Sequence, residues 1–202
     1  MKTRLDNRVI DLRTTAKQAI FKLSSGVCHL FREFCINNDF VEIHTPKLIG
    51  GSSEGGSNVF NFSYFNRKAC LAQSPQLYKQ MCVMGDFQRV FEIGPVFRAE
   101  NSFTHRHMCE FVGLDIEMSI KEHYFELLDF FGELFPYIFN NIEKRYVREL
   151  EAINQQFEFT PFKCRTPVVK LTFAERIQLL KDNGIDWPAM EDLSTEVEKK
   201  LG

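Results

Sequence analysis

The sequence predicts an α+β fold in which an antiparallel β-sheet is flanked by helices. Three observations carry that expectation. Residues 89–118 read as two β-strands joined by a charged loop. Residues 58–73 read as a second, shorter strand pair. Segments with apolar residues at helical spacing stand on either side, at 15–37 and 121–150. The 202 residues suit one domain, or one domain plus a fragment.

Composition narrows the function classes. The chain is 44% hydrophobic and 26% charged, which fits a globular protein and excludes a disordered one. A formal charge of −2 argues against a broad nucleic-acid surface. Twenty-one phenylalanines promise a large aromatic core. No apolar run approaches the length of a membrane helix, and no signal-peptide core opens the chain. The six cysteines (Cys28, Cys35, Cys70, Cys82, Cys109, Cys164) form no CxxC pair. Reduced core thiols in a cytosolic protein are therefore expected over disulfides or zinc.

The elements follow in order. Residues 1–13 are charged and irregular and read as a linker into a domain. Ile20, Leu23, Val27, Leu30, Phe31 and Phe34 recur at helical spacing, and Asn37-Asn38-Asp39 stops that helix. Phe40–Ile43 is a short strand that ends before Pro46, which has no N–H for a ladder. A Gly/Ser-rich loop at 50–57 carries a single acid, Glu54. No Gly-Lys-Ser/Thr follows, so it is not a P-loop, and one carboxylate suits an ammonium better than a phosphate. A plain flexible connection is the other reading. The 58–65 and 68–73 strands turn at Asn66-Arg67. Ser74 is a suitable N-cap, Pro75 fits the first helical position, and Gly85 is a fitting stop. Gln76 and Lys79 share a face near that helix start, as a carboxylate receptor or as surface residues. After residue 118, one helix or two span 121–150, interrupted near Pro136. Residues 156–167 are irregular, 170–183 form a short amphipathic helix ending at Gly184, and Ser194 or Thr195 caps a last one.

The 89–118 hairpin carries the chemistry. In its second strand, Phe111, Gly113, Asp115 and Glu117 fall on one face. Val112, Leu114, Ile116 and Met118 fall on the other, as an ordinary core face. Arg98, Glu100, His105, Arg106 and His107 crowd the loop. Cations gathered at a hairpin mouth suit a polyanion such as a nucleoside triphosphate. At about 3.3 Å of rise per residue, Phe111 and Asp115 stand roughly 13 Å apart, room for a purine at one end and a small amine at the other. A surface hairpin with a solvated tip is the competing reading.

Together, FVEIHTPKL with GGSSEGG, AQSPQLYKQ, and FRAENSFTHRHMCEFVGLDIEM resemble the catalytic domain of the class II aminoacyl-tRNA synthetases, closest to the eukaryotic-type aspartyl enzymes. The similarity covers essentially the whole chain, and the 97–118 block is its most specific part. TRLDNRVIDLRT resembles the segment that leads from the family's anticodon-binding domain, so 1–13 is expected as that linker and 14–202 as a partial catalytic domain.

The resemblance implies roles by position. Pro46 matches the first class II motif, at a homodimer interface. Ser53 and Glu54 match the loop that closes over the amino acid. Ser74, Gln76 and Lys79 match the aspartate-binding set, with Lys79 on the substrate's side-chain carboxylate. Asp115 matches a carboxylate near the substrate amine. Arg98 matches the arginine on the ATP α-phosphate and is the expected catalytic residue. Glu100 and Met108 match contacts to adenine, Phe111 the ring that stacks on it, and Arg106 and His107 loop residues near the outer phosphates. The implied substrates are L-aspartate, ATP and aspartate tRNA, joined through an aspartyl-adenylate, in the cytoplasm and with no membrane partner. The family's third, glycine-rich motif and its acidic Mg²⁺ ligands do not occur in these 202 residues, so no metal site is expected in this chain. A fragment of the enzyme is therefore one reading, and a non-catalytic paralogue kept for dimerisation or nucleotide binding is the other. An asparaginyl specificity is disfavoured, because a neutral amide has no use for Lys79.

Overall fold

The computed structural model describes residues 2–53, 59–101, 107–188 and 190–202. The chain divides into two compact units, 1–162 and 163–202. The first contains α1 (Lys2–Asp6), α2 (Arg8–Leu12), α3 (Thr15–Asn37), β1 (Val41–Glu42), β2 (Leu48–Ile49), β3 (Asn61–Tyr64), β4 (Arg67–Leu71), α4 (Gln76–Met84), β5 (Arg89–Phe97), β6 (Glu110–Met118), α5 (Phe125–Arg145) and α6 (Val147–Asn154). The second contains α7 (Phe173–Asp182) and α8 (Thr195–Leu201).

Two three-stranded sheets form among the described residues, ordered β1-β5-β6 and β2-β4-β3. The β5–β6 pairing is antiparallel and runs from Arg89 opposite Met118 to Phe97 opposite Glu110. Those are the hairpin strands expected from the sequence. β1 joins the other edge of β5 in parallel, with Val41 opposite Val90. The β3–β4 turn falls one residue earlier than expected, at Phe65-Asn66, with Phe65 in the left-handed region at φ 52°.

The core lies between α3, α5 and one face of the β5–β6 pair. Leu30, Phe31, Phe34, Cys35, Phe40, Phe91, Phe130, Leu134, Ile138 and Ile142 fill it. Aromatic rings meet there at preferred tilts: Phe34 and Phe130 edge on at 5.2 Å, Phe31 and Phe91 edge on at 5.9 Å. The expected core face of β6 holds only at its inner end. Ile116 and Met118 pack on the cluster, whereas Val112 is 61% and Leu114 37% exposed. Alternation alone therefore overstated the core: it fixes which face a residue points to, not whether an element covers that face.

Three further expectations change. Residues 2–12, read as irregular, form α1 and α2, and Asp11 is buried against Arg8. Pro136 does not interrupt α5; it sits on the buried side of a continuous helix. The break comes at Tyr146, whose ring lies against Gly26 of α3, where an added Cβ would stand 2.4 Å from Tyr146 Cζ. α4 begins at Gln76, with Pro75 rather than Ser74 as its cap residue.

Paired charges tie the layers. Arg32 on α3 grips Glu42 on β1 through Nε at 2.8 Å and Nη2 at 3.0 Å. These hydrogen bonds hold the Glu42 carboxyl below the usual carboxylate range. Arg145 donates to Glu33 at 2.8 and 3.3 Å, joining α5 to α3. In the second unit, Ile177, Leu180 and Val197 form a small cluster, and Thr172 and Glu175 complete a capping box on α7. No described helix is long and apolar enough to cross a membrane. All six cysteines are free, and burial pushes the Cys35 thiol up to about 12.

Candidate active site

In an antiparallel pair, residues opposite one another share a face. The register therefore gathers Val90, Glu92, Gly94 and Val96 of β5 with Glu117, Asp115, Gly113 and Phe111 of β6. This is the face turned away from the core, and α4 covers one end of it. The 72–76 segment is pinned there from two sides. Phe97 N–H donates to the Ala72 carbonyl at 3.1 Å, and Ala72 N–H donates to the Lys47 carbonyl at 2.9 Å. Gln73 and Ser74 are buried in that segment, and Ser74 Oγ accepts from Gln76 N–H at 3.2 Å.

Lys79 is only 3% exposed. Its Nζ donates to Asp115 Oδ1 at 3.1 Å and to the Ile116 carbonyl at 3.0 Å, and lies 3.4 Å from Glu117 Oε2. Gln76 Nε2 donates to the same Glu117 oxygen at 3.3 Å. Gln76, Lys79 and Asp115, which the sequence suggested, are thus brought together. Glu117 is the addition; strict alternation put it on this face, but nothing in the sequence showed that Lys79 would reach it.

Two glycines open the middle of the face. Gly94 lies opposite Gly113. A Cβ on Gly113 would stand 2.9 Å from Asp115 Oδ2 and 3.0 Å from Val96 Cγ2. One on Gly94 would stand 3.0 Å from Glu92 Oε1. The Asp115 and Glu92 carboxylates therefore lean along the sheet into the space that side chains at the two glycines would fill.

A second polar cluster, unread in the sequence, lies beside the first. Glu92, opposite Asp115, is 3% exposed. It accepts from Thr45 N–H at 3.0 Å, Thr45 Oγ1 at 2.7 Å and Lys47 Nζ at 2.7 Å. Burial pushes the Glu92 carboxyl up, but the bonds from Lys47 and Thr45 outweigh it and hold the group below its ordinary value. The one sequence signal was a lone acid inside the apolar run VFEIG.

At the far end, the Arg98 guanidinium stands 5.6 Å from the Phe111 ring centroid, and Arg98 N–H donates to the Cys109 carbonyl at 2.9 Å. Glu100 and His107 come within 4.0 Å of each other. Met108 is exposed. Ser53 Oγ is shielded from solvent with no hydrogen-bond partner among the described residues. Glu54, His105 and Arg106 lie outside the described residues. Pro46 is exposed and borders a shallow apolar hollow with Ile43, Tyr78, Met81 and Phe87. Among the described residues, no group of three His, Cys, Asp or Glu side chains is placed to hold a metal ion.

The face therefore offers a cation at its mouth, an aromatic ring beside it, a pair of opposed glycines in its middle, and a Lys–carboxylate cluster at the closed end. The model of the tRNA synthetases class II (D, K and N) matches residues 1–200. The chain is 58% identical over 200 residues to aspartate–tRNA ligase 1, cytoplasmic, of Arabidopsis thaliana, covering 99% of this chain and 38% of that one. It is 54% identical over 200 residues to the cytoplasmic aspartate–tRNA ligase of Homo sapiens, covering 99% and 40%. The chain thus spans about two fifths of the length of these relatives. Among solved structures, an aspartyl-tRNA synthetase from Entamoeba histolytica matches with a TM-score of 0.83 and 49% identity, over 100% of this chain and 37% of that one. An asparaginyl-tRNA synthetase from Pyrococcus horikoshii, complexed with asparaginyl-adenylate, matches with a TM-score of 0.84 and 28% identity, over 99% and 45%. With the family's model covering nearly every residue, and the hairpin motifs assembled on one face, this chain belongs to the class II tRNA synthetases of the D, K and N group.

Proposed function

We propose that this chain is the adenylate-forming part of a cytoplasmic aspartate–tRNA ligase, which joins L-aspartate to its tRNA at the expense of ATP. The observation that carries the reading is the buried Lys79 ammonium at the closed end of this face. A site for asparagine has no need of that charge, whereas an aspartate side chain matches it.

In the first step an aspartate carboxylate oxygen attacks the α-phosphorus in line, and pyrophosphate leaves. In the second, the terminal ribose hydroxyl of the tRNA attacks the adenylate's carbonyl carbon, and AMP leaves. No protein nucleophile is needed; positioning and neutralised charge supply the rate. Arg98 neutralises the α-phosphate, Phe111 stacks on adenine, and Glu100 and Met108 meet its edge. Arg106 and His107 serve the outer phosphates. Lys79 takes the side-chain carboxylate, Asp115 the ammonium, and Ser53, Glu54, Ser74 and Gln76 enclose the amino acid. The face around Pro46 belongs to a homodimer interface, and residues 1–13 lead from an anticodon-binding domain. The arrangement fits ATP: a cation–ring pair stands at one end of the face, separated by the paired glycines from the acidic end.

The test is aspartate-dependent ATP–pyrophosphate exchange by the complete protein that carries this chain. Exchange with aspartate and none with asparagine is the expected result. Arg98→Ala should lower it by about a hundredfold or more. Undiminished exchange in that variant would overturn the assignment. Exchange with asparagine and not aspartate would overturn the specificity.

A further inference from the structure

Lys79 has three N–H donors; it donates to Asp115 Oδ1 and the Ile116 carbonyl, and its charge is also faced by Glu117 Oε2 at 3.4 Å. All three belong to β6. An ammonium so furnished receives a new carboxylate only when one of the three gives way. The Ile116 carbonyl is part of the strand backbone. Glu117 is tied a second time, by Gln76 Nε2. Asp115 is held through one oxygen, while the other leans into the space that a side chain at Gly113 would fill.

From this asymmetry we infer that Glu117 is a positioning residue for amino-acid binding: it anchors Lys79 while Asp115 is exchanged for the ligand's own carboxylate. The inference rests on the aspartate-activating reading and deepens it. The substrate's carboxylate takes the place of Asp115 on Lys79, and its ammonium takes the place of Lys79 on Asp115. Each group that leaves a partner gains another of the same charge type, so no buried charge is stranded. A ligand with only one of the two groups completes half of the exchange and leaves Asp115 or Lys79 short of a partner. The device thus selects for an amino acid that carries a side-chain carboxylate, over a simple dicarboxylate and over the amide. Glu117 does not touch the substrate; it acts through Lys79 and Gln76.

The test uses the complete protein and exchange kinetics with aspartate and ATP varied separately. Glu117→Gln keeps the shape and removes the charge. It should raise the aspartate KM by about tenfold to a hundredfold and leave the ATP KM within about twofold. Its preference for aspartate over asparagine should fall by a similar factor. Gln76→Leu, which removes the second tie, should shift the aspartate KM in the same direction by less. Succinate, which lacks the ammonium, should inhibit the wild type poorly. If Glu117→Gln leaves the aspartate KM unchanged, or lowers it, or raises both KM values alike, the anchoring role is wrong. Should Glu117→Gln fail to fold, an unchanged aspartate KM in Gln76→Leu would overturn the anchoring role just as well. Wild-type exchange that ignores aspartate would instead sink the underlying reading, a separate outcome.

Discussion

Single residues in this chain do work out of proportion to their number because they are charged and buried. Glu92 is the clearest case: one carboxylate joins β5 to the 45–47 segment through three hydrogen bonds. Glu92→Gln keeps the size but leaves Lys47 and Thr45 with weaker partners. Urea unfolding should show a loss of about 2–3 kcal/mol at pH 7. Because the folded carboxyl is held below its ordinary value of 4.5, its contribution is present above that value and fades as pH falls through the lowered one. The wild type's advantage over Glu92→Gln should therefore shrink as unfolding is measured below pH 4.5. An advantage independent of pH would mean that shape, not charge, holds the cluster. Gly113 makes a second case. Gly113→Ala forces Asp115 or Val96 aside, since the new Cβ would stand 2.9 and 3.0 Å from them. The aspartate KM of the complete protein should rise by about tenfold. An unchanged value would show that Asp115 has room to move without cost.

At the scale of elements, close approach and caps decide the geometry. α6 crosses α3 where Tyr146 meets Gly26, and the 2.4 Å clearance there admits no side chain. Gly26→Ala should destabilise the first unit by about 1–3 kcal/mol, seen as a lower thermal midpoint by circular dichroism. A gain in stability, as expected from helix propensity alone, would mean that the Tyr146 ring yields freely. In the second unit, α7 begins with Thr172 accepting from Glu175 N–H at 3.2 Å. Thr172→Ala should cost about 1 kcal/mol of that unit's stability, checked by hydrogen exchange at the first turn. Protection unchanged there would assign the helix start to packing instead.

For the whole molecule, the telling feature is apolar surface without a partner. Val112 and Leu114 stand exposed on β6, which has no neighbour on its outer side among the described residues. Open edges with apolar faces associate. The 202-residue chain should sediment with a mass that grows with concentration, and Val112→Lys with Leu114→Glu should reduce that growth. A monomer at every concentration tested would show the edge to be protected.

Much of this was written in local order. The 3.6-residue spacing placed α3, and strict alternation placed β6 with Asp115 and Glu117 on one face, because side-chain direction is fixed by backbone period. Gln76, Lys79, Arg98 and Phe111 were singled out by their places on a helix face, a hairpin mouth and a strand face, and their proposed roles come from the family resemblance. Tertiary structure decided what those residues touch. Lys79 meets Glu117 only because α4 is pinned across β6, 38 positions along the chain. Glu92 meets Lys47 only because the segment after β1 runs on beside β5. Pro136 stays inside a helix because its buried packing outweighs a lost hydrogen bond, and the break falls at Tyr146 because of a glycine on another helix. Local sequence fixes which way a side chain points; the partner waiting there comes from chain crossings that no window of residues contains.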